Sequence, residues 1–136
     1  SFTGLRIGLG FAKGLAYALS KPVVPVPTLQ VIANDPIVDF DDFIALLYSH
    51  RNIVYFQKFH NKKPESEPAA SIFSDIDLDN NIIQYGCEKL LVSRIFSTVK
   101  PSAEAVGCLA LSNFNNWKIE KPHTLTSNYI SPFEVG

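Results

Sequence analysis

Four carboxylates crowd into the run DPIVDFDD, at Asp35, Asp39, Asp41 and Asp42. Oxygen ligands gathered on a loop are what a hard divalent cation requires. This run has neither the glycine that turns a calcium loop sharply nor the glutamate that closes it, so a solvated loop is the plainer reading. His50, His60 and His123 are spread along the chain without an HExxH or other ligand spacing, which leaves them as surface or hydrogen-bonded side chains. Cys87 and Cys108 sit in no CxxC or CxxH arrangement and read as two reduced, buried thiols. Lys58, Lys62 and Lys63 beside Phe59 could meet phosphates, although such a loop is more simply solvated. Ser1 has no GxSxG context and no base assigned to it, so it is not read as a nucleophile. These residues lead to no catalytic residue, no metal and no cofactor.

Composition narrows the class further. A chain of 136 residues with 46% hydrophobic and 18% charged residues has the make-up of one globular unit, or part of one. Gripping nucleic acid through its phosphates calls for a basic excess, and 12 basic residues against 13 acidic ones supply none. No run of 18 apolar residues occurs, and no signal-peptide pattern opens the chain, so a cytoplasmic protein is expected. There is no methionine, and Ser1 already falls inside a helix start, which leads us to expect a chain truncated at its beginning.

The strongest local pattern is SFTGLRIGLGFAKGLAYALS, apolar or small on almost every face with only Arg6 and Lys13 charged. It predicts a helix over Ser1 to Ser20, capped by Ser1 or Thr3 and ended by Lys21-Pro22. Glycine costs a helix about 1 kcal/mol relative to alanine, so the glycines need a reason. Gly4, Gly8, Ala12 and Ala16 recur every four residues, as do Gly10, Gly14 and Ala18. Small side chains in such strips let another backbone approach closely. Two strips allow two uses, one against the protein's own sheet and one outward.

Downstream, Val23 to Val26 predicts a strand and Thr28 to Ala33 a short helix. FIALLY (Phe43 to Tyr48) and IVYFQKF (Ile53 to Phe59) predict a hairpin, and His60 to Ser71 an exposed loop. Ile72 to Asn81 reads as a surface edge leading into a strand at Ile82-Ile83. CEKLLVSRIFS predicts a helix from Cys87 to Ser97 with Cys87, Leu90, Leu91 and Ile95 on one face. PSAEAVGCLALSNF predicts another, with Pro101 at an early helical position and an apolar stripe of Ala105, Cys108, Leu109 and Leu111. The tail is extended, with one strand near Tyr129.

The block SFTGLRIGLGFAKGLAYAL followed by PVVPVPTL closely resembles the TsaB (YeaZ-type) family over about thirty nearly gap-free residues. Weaker echoes follow in SHRNIVYF, PSAEAVGCLAL and SNYISPFEV. Tyr48, Ser49-His50 and Ser131 depart from the family pattern. The resemblance implies an α/β fold of the actin-like, sugar kinase and Hsp70 (RNase H-like) superfamily. It implies an incomplete first subdomain over residues 1–42, including an interface helix over residues 1–20, and a second subdomain over residues 43–136. A sheet without its first strands is expected to expose edges and leave the apolar helix uncovered, and the chain to fold poorly alone.

The catalytic paralogue TsaD carries a metal-binding histidine element after its equivalent strand. Thr28, Leu29, Gln30, Val31 and Ile32 stand there instead. The resemblance therefore implies a non-catalytic scaffold without cofactor that pairs with a TsaD-like subunit, alongside a TsaE-like ATPase, to make threonylcarbamoyladenosine in tRNA. A homodimer is the other pairing it allows, tRNA is contacted only indirectly, and no membrane is involved. The partner-facing residues it implies are Gly4, Leu5, Gly8, Leu9, Ala12 and Ala16. The alternative is an active superfamily member, an ATP-dependent transferase or a metallopeptidase-like protein.

Overall fold

The apolar run Phe43 to Tyr48 forms most of strand β1 (Asp42–His50), and IVYFQKF forms most of β2 (Ile53–His60); the two pair antiparallel as a hairpin. Phe43 faces Phe59 across the pair, and their rings stack with centroids 5.3 Å apart. On its other side β1 pairs in parallel with a later strand, Asn81–Tyr85. That makes β1 a central strand, which explains why Phe43, Ile44, Ala45 and Leu46 are all buried without alternation. The computed structural model describes residues 2–78, 81–127 and 130.

Two short strands, β3 (Lys63–Pro64) and β4 (Ala69–Ile72), line the outer edge of β2, so Asn81–Tyr85 is β5. A last strand, β6 (Ser97–Thr98), pairs in parallel with β5, giving the order β3-β2-β1-β5-β6 with β4 also on β2. Successive side chains on a strand point to opposite faces. One face presents Phe43, Ala45, Phe59 and Ile83, covered by Leu29, Ile32 and Ala33 of a short helix together with Val38 and Val99. The other presents Ile44, Leu46, Val54 and Ile82, covered by Leu78, Cys87 and Leu91 from irregular chain.

Among the described residues there are four α-helices: α1 (Phe2–Ala18), α2 (Thr28–Ala33, the one on the sheet), α3 (Ala103–Ser112) and α4 (Phe114–Trp117). α1 closes with Ser20 in the left-handed region (φ 51°) and the Lys21 amide bonded to the Ala16 carbonyl, just before Pro22. Thr3 lies inside the helix, and Ser1 lies outside the described residues.

Several sequence expectations need correction. Val23 to Val26 is not a strand; Val23 alone makes an isolated bridge, to Ile119. His60 to Ser71 is not a free loop, because β3 and β4 both use the open edge of β2. Cys87 to Ser97 is a chain of tight turns, with amide bonds from Leu90 to Cys87, Leu91 to Glu88 and Arg94 to Leu91. Cys87 and Leu91 do reach the core, but Ile95 is 97% exposed. The β-branched Val92 and Ile95 and the serines give weak helix preference, and pairing of β6 with β5 outweighs it. Pro101 precedes the cap of α3, where the Ser102 hydroxyl accepts from the Ala105 amide. No residue of α3 is buried, and Leu111 on its expected stripe is exposed. The strand expected near Tyr129 lies outside the described residues.

Candidate functional site

α1 has the composition of a core helix and the environment of a surface one. It carries no acidic residue, and its charges are Arg6 and Lys13. Leu5 (56% exposed), Ile7, Phe11 (73%), Leu15 and Tyr17 (72%) point from it into solvent in several directions. A soluble helix ordinarily buries one apolar stripe, and an apolar surface left uncovered marks an interaction site.

The six residues implied as partner-facing all fall on this helix. Gly4, Leu5, Gly8 and Ala12 are exposed, and Leu9 and Ala16 are half-buried. A Cβ placed on Gly8, Gly10 or Gly14 would meet nothing within 4 Å. The idea that one small-residue strip lies against the protein's own sheet is thus not met: among the described residues no backbone approaches Gly10 or Gly14 closely. Among the described residues α1 lies against a 3-10 turn at Pro122–Thr124. There Lys13 Nζ donates to the Leu125 carbonyl oxygen at 2.6 Å, and Lys13, Gly14, Tyr17 and His123 border an open hollow. Nothing in the spacing of Lys13 or His123 announces this contact, since 112 positions separate the bonded pair.

The other candidates resolve into structural roles. Asp42 begins β1 opposite the last residue of β2, so its carboxylate meets His60, with Nδ1 2.6 Å from Oδ1. The Asn61 amide nitrogen lies 2.9 Å from His60 Nε2, and the tautomer protonated on Nδ1 satisfies both contacts. The hydrogen bond to Asp42, and then its charge, hold the His60 imidazole above its usual pKa. The Asp35 carboxylate accepts from the Ile37 amide, and Lys62 Nζ donates to the Asp35 carbonyl at 3.1 Å. His50 pairs with its neighbour Ser49. Among the described residues no group of three or more histidine, cysteine or acidic side chains converges. The two cysteines differ: Cys87 is buried, and desolvation pushes its thiol up to about 12, whereas Cys108 is exposed, contrary to the reading of two buried thiols.

Sequence reasoning overlooked the buried amides. Gln84, fully buried on β5, accepts from the Cys87 amide at 2.7 Å and donates to Thr98 Oγ1 (2.6 Å) and Glu88 Oε1 (3.1 Å). It holds the turn chain onto the sheet. The one available signal was a polar residue set inside the apolar run of β5.

Known proteins bear on this site. The family model described as "TsaD: tRNA N6-adenosine threonylcarbamoyltransferase" matches residues 1–73. The chain is 33% identical over 69 residues to the tRNA threonylcarbamoyladenosine biosynthesis protein TsaB of Haemophilus influenzae, an alignment covering 49% of this chain and 29% of that protein. Two solved structures from Pseudomonas aeruginosa share its fold. One is an uncharacterized protein with similarity to peptidase YeaZ (TM-score 0.77, 20% identity, 96% of this chain and 69% of that one). The other is YeaZ itself (TM-score 0.73, 20% identity, 94% and 70%). The fold is therefore the actin-like, RNase H-like α/β arrangement expected from the sequence. From the SFTGLRIGLG helix through the β1–β2 hairpin to β4, this chain belongs to the family described as TsaD: tRNA N6-adenosine threonylcarbamoyltransferase, and over much the same length it is similar to a TsaB protein.

Proposed function

We propose that this chain takes part in making threonylcarbamoyladenosine in tRNA, as a non-catalytic scaffold that pairs with a TsaD-like subunit through α1. The observation that carries this reading is α1 itself: a helix of 17 residues that, from Thr3 onward, buries none of its large apolar side chains and presents Gly4, Gly8 and Ala12 to the outside. The name of the TsaB relative supports the pathway, and Thr28–Ile32 in place of TsaD's histidine element supports the scaffold role. A TsaE-like ATPase joins the same assembly. With 12 basic against 13 acidic residues, the chain meets tRNA through its partner rather than directly. A homodimer would use the same face. Among the described residues no helix is long and apolar enough to cross a membrane, and we place the work of the protein in the cytoplasm.

Replacing Gly8 and Ala12 with leucine fills the strip without touching the sheet. Co-purification with a TsaD homologue is expected to fall at least tenfold while the circular dichroism spectrum stays native; undiminished binding by folded variants would sink the proposal.

The family description favours a second reading, an active ATP-dependent transferase or metallopeptidase-like member. Metal analysis and ATP hydrolysis on the purified chain discriminate it, since the scaffold reading requires neither.

A further inference from the structure

Side chains alternate along β2, so Gln57 shares a face with Tyr55 and Phe59, the face that α2 covers. An amide set between those two on a core face needs polar partners. It has half of them: Nε2 donates to the Ser66 carbonyl at 2.8 Å, which fixes the other end of the amide as the oxygen. Gln57 is 3% exposed, yet its Oε1 takes no hydrogen bond among the described residues and is not sealed from solvent.

The opening is a hollow of about 570 Å³ between the start of α2 and the loop from β3 to β4. Pro27, Pro64 and Pro68 give it apolar walls that carry no N–H. Gln30, half-buried beside it, leaves its side-chain amide unbonded among the described residues. Glu65 and Glu67 line it too, and among the described residues no lysine, arginine or histidine does. The loop is fastened to β2, because besides the Gln57 bond the Glu65 amide donates to the Lys58 carbonyl at 2.9 Å and the Lys58 amide to Ser66 Oγ at 3.0 Å.

A carbonyl oxygen short of a donor, two carboxylates and walls without N–H call for a ligand that brings hydrogen-bond donors and positive charge. A guanidinium fits these demands. It is planar, carries five N–H donors, and is hydrated weakly enough to lie against apolar rings. An ammonium is compact and strongly hydrated, and would fill little of the hollow. We propose that this hollow is a binding subsite for a guanidinium group, with Gln57 Oε1 accepting at its floor and Glu65 and Glu67 supplying the charge. A free arginine-like molecule and an arginine side chain of a polypeptide bring the same group.

The full chain, isotope-labelled for NMR, is titrated at matched ionic strength with argininamide, acetyl-Gly-Arg-Gly-amide and lysinamide. The Gln57 side-chain amide and the backbone amides of Gln30 and Ser66 are followed. Saturable shifts with a Kd on the order of 1 mM are expected for argininamide, and about tenfold weaker binding for lysinamide. Glu65→Gln and Glu67→Gln change exposed side chains outside the core, and each should weaken binding about two- to fivefold. Gln57→Met keeps the length and removes the acceptor, and should weaken it about tenfold or more. Binding of the tripeptide as well identifies a polypeptide side chain as the ligand, and binding of argininamide alone a free small molecule. No saturable shift at about ten times the expected Kd, equal binding of lysinamide, or an affinity unchanged in both glutamate variants would each overturn the subsite. An unchanged affinity in a folded Gln57→Met would do the same, and if that variant does not fold the two glutamate variants decide.

Discussion

Gln84 offers a perturbation whose size can be worked from three bonds. In Gln84→Leu the Cys87 amide loses its acceptor in a buried place, which costs about 1–3 kcal/mol. Thr98 and Glu88 are exposed and turn to water, adding little. Burying an apolar side chain in place of the amide offsets about 1 kcal/mol, which leaves a net loss of about 0–2 kcal/mol. Gln84→Glu keeps an acceptor for Cys87 but replaces the donor that faced the Glu88 carboxylate at 3.1 Å with a second carboxylate. Burial and the like charge both raise the new group's pKa in the folded state above the unfolded value of about 4.3. The sign follows: below that pH both states hold the proton and nothing is lost. Destabilisation sets in above it and grows until the pH passes the raised folded value, by about 1.4 kcal/mol for every tenfold difference between the two acid constants. Urea unfolding at pH 4.5 and 7.5 reads this directly. Gln84→Glu should fall well below wild type at pH 7.5 and approach it at pH 4.5, whereas the loss in Gln84→Leu should be nearly the same at both. An equal loss at both pH values for Gln84→Glu would show that the Gln84 site is wetter than its packing implies.

Three further outcomes test other parts of the fold. Because Asp42 is the main group raising the His60 pKa, the pair stabilises the sheet fully below the unfolded histidine value and less as pH rises through the folded one; Asp42→Asn should shrink that drift in urea midpoint, leaving the smaller part due to Glu65 and Asp41. Gly86 sits at φ 79°, and an added Cβ would lie 3.1 Å from Tyr48 Cβ, an atom fixed to the β1 backbone; Gly86→Ala should cost about 1–3 kcal/mol in chemical denaturation, and a loss under about 0.5 would contradict the strain. With its thiol pushed up to about 12 and buried, Cys87 should resist alkylation at pH 8 until the chain unfolds, while the exposed Cys108 is modified at once; equal rates in native protein would refute the packing of Cys87.

The hairpin and α2 were legible because their apolar runs carry their own period and their own punctuation. β1 needed one fact from outside itself, the parallel β5, to account for burial on both faces. The His60–Asp42 pair shows where counting fails. Counting back from the turn at Arg51-Asn52, with His50 opposite Ile53, would set Asp42 against Asn61, and the one-residue irregularity between Tyr48 and His50 moves it to His60. No side chain in that stretch announces such a slip. The turns from Cys87 to Ser97 were hidden for a different reason: helical spacing of Cys87 and Leu91 is also what two anchors over a sheet face require. On α1 the small-residue spacing was visible at once, whereas the bond from Lys13 to the Leu125 carbonyl depends on chain brought from the far end.

The exposure of α1 among the described residues has a thermodynamic consequence. An isolated helix of this length is marginal in water, and each glycine among Gly4, Gly8, Gly10 and Gly14 takes away about 1 kcal/mol more. Its helicity therefore depends heavily on what lies against it, and the present neighbours supply one edge. Docking would then be an ordering event as well as a contact, with an unfavourable entropy and a negative heat-capacity change larger than the buried area alone predicts. Calorimetry of the pair across temperature would record, in those two quantities, how much of the helix its partner completes.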